Sequence, residues 1–212
     1  MKKKITLIDY GAGNILSARR GFMKSGAVVE VSSDLKKIKD ASFLVLPGDG
    51  SFSYASYQLK KSGIFDILLR HVKKGNPLLG ICLGMQMLLS KSEEFGKHFG
   101  LSIIRGDIKS IKKQKLPYCK IPVIGWHNIV SKKKNLKNKI KYLTNFNNKG
   151  FYFVHSFHAL PKNKNEILAY YNYGNQKITA IIGKDNVLGT QFHPEKSGLN
   201  GIKLIKAFLK VN

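Results

Sequence analysis

The chain has 212 residues, 43% hydrophobic and 23% charged, the proportions of an ordinary soluble protein long enough to bury a sizeable core. These values exclude a disordered tail, a fibrous repeat and a disulfide-stapled miniprotein. The net charge of +25, from 37 basic against 12 acidic residues, invites a nucleic-acid or anionic-surface reading.

That invitation is weak. Only four of the basic residues are arginine (Arg19, Arg20, Arg70, Arg105), the side chain best shaped for phosphates and base edges. The lysines are scattered among asparagines and isoleucines, as codon bias would scatter them. One dense run, Lys132-Lys133-Lys134 through Lys137, Lys139 and Lys141, has no interleaved aromatic before Tyr142. It reads as a solvated loop or as a binding patch, and nucleic acid is not an expected partner. Apolar stretches such as residues 77–83 are broken by glycine and too short for a bilayer, so no membrane is expected. The basic start turns acidic and glycine-rich before a signal-peptide core develops, so a cytoplasmic location is expected.

Strands and helices alternate through the first half. Residues 4–9 read as a buried strand, Gly11-Ala12-Gly13-Asn14 as a tight turn, and residues 15–24 as a helix stopped at Gly26. Residues 27–32 form a second strand rich in valine, and residues 43–46 a third, ended by Pro47-Gly48-Asp49-Gly50. Ile64, Phe65, Leu68, Leu69 and Val72 recur at helical spacing. Residues 77–81 form a fourth strand running into a helix at 85–90. The second half breaks into short strands at 103–111, 123–130, 151–160, 166–173, 178–182 and 187–192, closed by a helix over 199–209. The expected fold is α/β: a mostly parallel central sheet flanked by helices, with an antiparallel β extension in the second half. No repeat or linker divides the chain, so residues 1–212 are expected to form a single domain.

Two cysteines, Cys82 and Cys119, show neither C-x-x-C pairing nor metal-ligand spacing, so neither a disulfide nor a metal site is expected. Cys119 has no flanking glycines and reads as structural or exposed. Gly80-Ile81-Cys82-Leu83-Gly84 lies at a strand-to-helix junction and is the cysteine counterpart of a nucleophile elbow. Small residues on both sides permit the strained turn and the close helix–strand approach. The following helix would point its positive end at the sulfur, and Leu83 N–H would face an oxyanion. An isolated motif of this kind is equally consistent with a buried structural cysteine between packing glycines.

A nucleophile needs a base, and the base needs an orienting partner. Gly189-Thr190-Gln191-Phe192-His193-Pro194-Glu195 ends a predicted strand, where side chains at i and i+2 share a face. His193 and Glu195 can then meet at one site, although a lone histidine at a strand end is also an ordinary structural cap. His71 falls on a polar helix turn and His98 in a glycine-flanked loop. His155 and His158 alternate with aromatics, with no partner cluster for a metal.

The elbow together with a His-x-Glu about 110 residues downstream resembles the class I (triad) glutamine amidotransferases. Ile8-Asp9-Tyr10-Gly11-Ala12-Gly13-Asn14, Leu46-Pro47-Gly48, Leu79 through Gln86, Gly125-Trp126, Tyr152 through Ser156 and Gly189 through Ser197 look like the HisH family, the glutaminase subunits of imidazole glycerol phosphate synthase. The likeness runs in order over nearly the whole chain, as one glutamine amidotransferase type 1 domain.

The resemblance implies hydrolysis of L-glutamine through a Cys82 thioester, with His193 and Glu195 completing the triad. The oxyanion donors would be the backbone N–H groups of Asp49 and Leu83. Gly48, Gly50, Gln86, His155, Ser156 and Phe157 match substrate-holding positions. Trp126, Tyr152 and Lys196 match the interface with a (β/α)8-barrel subunit that receives the ammonia as a heterodimer partner. For Trp126, plain core packing is the competing reading. No cofactor is implied.

Two departures from the family stand out. Asp49 occupies a position usually apolar, and would need to point away from the oxyanion or pair with a lysine. Ile121-Pro122-Val123-Ile124-Gly125-Trp126-His127-Asn128 stands where Pro-His-Met-Gly-Trp-Asn is commoner. The second departure leaves room for a paralogue feeding another amidation, such as that of surface sugars. Asp49 and the charge leave room for a basic binding module on an inactive scaffold.

Overall fold

The structure, a computed structural model, describes residues 2–112, 119–132 and 146–210. Residues 133–141 of the lysine run and residues 116–118 beside Cys119 lie outside these. The chain begins β1 (Lys4–Ile8), α1 (Ile15–Lys24), β2 (Val28–Ser32), α2 (Leu35–Asp40), β3 (Leu44–Leu46), α3 (Phe52–Lys61), α4 (Ile64–Lys73), β4 (Leu78–Ile81) and α5 (Leu83–Met87). It continues with β5 (Lys91–Ser92), β6 (His98–Phe99), β7 (Gly106–Ser110), β8 (Val123–Ser131), β9 (Lys149–His155), β10 (Phe157–Pro161), β11 (Ile167–Tyr173), β12 (Gln176–Lys184), β13 (Val187–Thr190) and α6 (Gly198–Leu209). Among the described residues, no helix is long and apolar enough to cross a membrane.

Among the described residues, nine strands form one mixed sheet in the order β2-β1-β3-β4-β13-β12-β11-β8-β9. The pairings from β2 across to β13 are parallel, and those from β13 to β9 antiparallel. The antiparallel extension is thus half of the sheet's pairings rather than an appendage. A second sheet runs β10-β7-β5-β6.

Alternation along the parallel strands feeds two cores. Ile5, Leu7, Val45, Leu79 and Ile81 face Phe22 of α1 and Leu204, Ile205 and Phe208 of α6. Ile8, Leu44, Leu46 and Leu78 face Ile38, Phe52, Leu59, Ile64 and Leu68 of α2, α3 and α4. Helices therefore cover both faces. Under β8, β9 and β11 lies an aromatic cluster in which Phe151 stacks on Phe192 at 4.1 Å and His127 on Tyr171 at 4.8 Å.

Several local expectations are corrected. Neither α2 nor α3 was foreseen. The first buries only Ile38, too little for a periodic signal, and is started by Asp34, whose carboxylate accepts from Lys37 N–H at 2.8 Å. The second buries Phe52, Ala55, Ser56 and Leu59, a face masked by small and polar residues. The helix expected at 85–90 begins at Leu83 and lasts five residues, so its dipole has little to offer the sulfur.

The single strand expected over 151–160 is two strands in different sheets, broken at Ser156. His71 is buried, not on a polar turn: its Nε2 lies 3.0 Å from Pro77 O and burial lowers its pKa. Cys119 is a buried free thiol within the core.

Candidate active site

Parallel pairing of β4 with β13 sets Ile81 opposite Thr190, so the two strands end side by side. The chain continues from one into Cys82 and from the other into His193. Cys82 is held by its N–H, which donates to Thr190 O at 2.7 Å. Its φ of 53° is unusual for a residue with a Cβ, a strain of order 1–3 kcal/mol that surrounding packing must hold. The glycines of the elbow make that packing possible. A Cβ on Gly80 would sit 2.6 Å from Gly84 O, and one on Gly84 only 1.8 Å from Leu46 O.

His193 is 2% exposed. Its N–H donates to Tyr152 O at 3.0 Å, and its carbonyl accepts from the Ser197 hydroxyl at 2.6 Å. Glu195 Oε1 lies 2.8 Å from His193 Nδ1, which fixes Nδ1 as a donor and aims Nε2 into the site. Burial alone would lower the His193 pKa. Pairing with Cys82 and then with Glu195 outweighs burial and raises it to about 10. The Cys82 sulfur also faces Gln191 Nε2 at 3.7 Å and Val154 O at 3.9 Å.

A cleft of about 520 Å³ opens over the sulfur, lined by Asp49, Gly50, Cys82, Leu83, Gln86, Glu94, Phe95, Val154 through Phe157, and Lys196. Gly48 packs under it, where a Cβ would meet Tyr10 Oη at 2.8 Å and Gly84 N at 2.9 Å. Gly50, at φ 100°, turns the loop. Leu83 N–H, expected to face an oxyanion, instead donates to Gly48 O at 3.3 Å. Asp49 Oδ1 lies 3.5 Å from His193 Nε2, with the side chain still 40% exposed, so its carboxylate faces the catalytic histidine rather than a lysine.

Gln86 lines the cleft with its amide already spoken for, donating to Phe157 O and Gln191 Oε1, both at 3.2 Å. His155 is committed at both nitrogens. Nδ1 lies 2.8 Å from Phe157 O and must donate; Nε2 then accepts from Tyr171 Oη at 2.9 Å. Burial pushes its pKa down to about 3, so it stays neutral and shapes the break at Ser156. Ser156 and Phe157 form the facing wall.

Trp126 is 59% exposed, which removes the core-packing reading. It meets Tyr152 edge-on at 6.2 Å across the β8–β9 pair, with Ile124 exposed on the same side. Lys196 lines the cleft.

Three residues escaped the sequence reading. Glu94 and Phe95 line the cleft, and Glu94 Oε2 accepts from Phe52 N–H at 2.7 Å. Their only signal was Glu93-Glu94, the sole adjacent acidic pair in a basic chain. Gly21, inside α1, lies against Glu195: a Cβ there would come within 2.6 Å of Glu195 Cβ. A glycine in mid-helix was its signal.

Fold and site together define a class-I glutamine amidotransferase, and the Glutamine amidotransferase class-I family description matches residues 6–211. By fold the chain is similar to solved structures titled "Structure of PurLQS from Thermotoga maritima" (TM-score 0.75, 18% identity, 99% of this chain and 98% of that one) and "Crystal structure of glutamine amidotransferase" (TM-score 0.73, 15% identity, 97% of each). Curated relatives named "Imidazole glycerol phosphate synthase subunit HisH" include those of Lactococcus lactis, 42% identical over 98% of both chains, and Prochlorococcus marinus, 42% identical over 98% of both. A Legionella pneumophila "HisH 1" is 41% identical over 98% of this chain and 99% of its own. The chain belongs to this HisH family.

Proposed function

We propose that the chain is the glutaminase subunit of an imidazole glycerol phosphate synthase. It hydrolyses L-glutamine and passes the ammonia through the interior of a (β/α)8-barrel partner, which makes imidazole glycerol phosphate and AICAR in cytoplasmic histidine biosynthesis. The observation that carries the reading is the buried His193, held at 2.8 Å by Glu195 and facing Cys82 at the floor of a cleft.

The Cys82 thiolate attacks the side-chain amide carbon of glutamine. The C–N bond breaks, and the His193 imidazolium protonates the departing ammonia. Neutral His193 then takes a proton from water, the hydroxide attacks the γ-glutamyl thioester, and the C–S bond breaks to release glutamate. Glu195 keeps the tautomer and stabilises the imidazolium at each turn. The Glu94 carboxylate and Lys196 ammonium on the cleft wall complement the charges of a free amino acid's backbone.

The oxyanion needs Leu83 N–H, which Gly48 O occupies at 3.3 Å. Rotation of the Gly48–Asp49 peptide would free that donor and add Asp49 N–H beside it. The isolated chain is therefore nearly inactive, and docking of the barrel on the Trp126–Tyr152 face switches it on. Cys82→Ala, assayed with the barrel subunit, tests the reading: hydrolysis should vanish while association persists, and retained hydrolysis overturns it.

The 121–128 segment, whose exposed Ile124 and Trp126 face the partner side, favours one second reading, a paralogue serving another amidation. Deleting the gene decides: histidine auxotrophy supports the synthase, and prototrophy supports the paralogue.

A further inference from the structure

We propose that Asp49, Cys82 and His193 form a site for a zinc-class divalent transition-metal ion, which holds the nucleophile in a reversible off state. The sequence hides this set, because its members come from three separate strand ends. In the fold, one ligand atom from each lies within 4.8 Å of the other two. Zinc bonds of about 2.0–2.3 Å at tetrahedral angles put neighbouring ligand atoms roughly 3.3–3.8 Å apart. The His193 Nε2 to Asp49 Oδ1 distance of 3.5 Å already meets that spacing, and the sulfur, within 4.8 Å of both, would close by at most about 1–1.5 Å.

The histidine is already placed for this role. His193 is 2% exposed, and its buried Nε2 makes no regular hydrogen bond but faces the Cys82 sulfur and, at 3.5 Å, Asp49 Oδ1. That nitrogen is therefore directed at the point where the other two donors converge. The far side of the ring is anchored by Glu195 at 2.8 Å, the carboxylate–histidine arrangement that orients a metal-ligating imidazole.

The donor set is one sulfur, one imidazole nitrogen and one carboxylate oxygen, which selects zinc or cobalt(II) over magnesium or calcium. The fourth position opens on the cleft, with room for water. Asp49 makes the difference from a bare Cys–His pair, and it stands where the family resemblance leads one to expect an apolar residue.

Binding balances simply. Cys82 and His193 share one ionisable proton between sulfur and Nε2. The metal replaces it with M–S and M–N bonds, and the proton leaves to water. The sulfur pair that would attack an amide is then engaged. The carboxylate bond also ties Asp49 down, so the Gly48–Asp49 peptide cannot turn. This inhibitory consequence rests on the glutaminase reading; the metal site does not.

The full chain titrated with Co2+ provides the test. One equivalent should bind with a thiolate-to-cobalt charge-transfer band in the near ultraviolet and the intense visible bands of a four-coordinate site. Cys82→Ser should remove the charge-transfer band, and Cys119→Ser should keep it. Asp49→Val should weaken zinc, measured by displacement of Co2+, at least tenfold. Circular dichroism checks that each variant is folded. No stoichiometric band, or a band that survives Cys82→Ser, overturns the site. A chain that shows the band yet never hydrolyses glutamine with its barrel partner overturns the proposed function and leaves the site standing.

Discussion

Replacing Gly21 with alanine sets two elementary effects against each other. In an exposed helix the change is favourable by about 1 kcal/mol, because glycine is the poorer helix former. Here the new Cβ would lie 2.6 Å from Glu195 Cβ and 3.0 Å from Glu195 Cα, with Ile205 Cδ1 behind it at 3.7 Å. Carbon atoms pack at about 3.5–4.0 Å, so roughly 1 Å must open between α1 and the Pro194–Lys196 turn. Overpacking of this kind costs about 1–3 kcal/mol, which leaves a net loss near 1 kcal/mol. For a chain of this length that lowers Tm by about 2–4 °C rather than raising it.

The displaced residue is the one that holds His193 at 2.8 Å, and an ångström of misplacement can cost about 100-fold in rate. Differential scanning calorimetry and glutaminase kinetics with the barrel subunit read the two effects separately. A Gly21→Ala chain with a higher Tm and unchanged kcat would refute the reasoning, showing that the turn yields without moving Glu195.

Glu195→Gln should lower the His193 pKa from about 10 by at least about two units, because charges about 4 Å apart attract by about 4 kcal/mol at an effective dielectric of 20; 13C-histidine NMR reads it. Since the folded pKa is raised, the stability from His193 is fully present below about pH 6.5 and lost as pH rises towards about 10. Denaturant midpoints across that window should fall in the wild type and flatten in Glu195→Gln, and parallel curves would count against the pairing. Gly84→Ala should cost at least about 3 kcal/mol, because the new Cβ would meet a backbone oxygen at 1.8 Å that cannot swing away; a normal urea midpoint contradicts this. Trp126→Ala should weaken barrel association by about 2 kcal/mol, some thirtyfold in Kd, while leaving Tm unchanged; calorimetric titration measures it.

The sequence announced the parallel half through valine- and leucine-rich strands ended by glycine and proline, and those strands lie within a residue or two of their expected places. Both the elbow and the His-x-Glu were read as strand ends, but the last strand was placed with the antiparallel extension, and its parallel pairing with β4 was not foreseen. What escaped was decided by tertiary packing. At Ser156 the chain leaves one sheet for the other, and His155 spans the break with bonds to Phe157 O and to Tyr171, the second of which lies 16 residues away and has no local signal. Asp49 was expected to point away from the oxyanion or pair with a lysine, and the fold sets its carboxylate beside His193. Gly21 and Glu195 are neighbours only because α1 packs beside the turn that follows β13.

Among the described residues, β9 is the last strand of the large sheet and pairs with β8. Its outer row of peptide groups would ordinarily be an open template for another chain. Here it is occupied: Tyr152 O takes His193 N–H at 3.0 Å, Tyr152 N–H is bound by Ser197 Oγ at 3.0 Å, and Val154 O faces the Cys82 sulfur at 3.9 Å. Two residues proposed to do the chemistry, His193 and Cys82, therefore also cover part of the sheet's border together with Ser197. Loosening them would cost the protein its guard against strand-to-strand aggregation along with its alignment, so selection for solubility and selection for turnover act on the same few bonds.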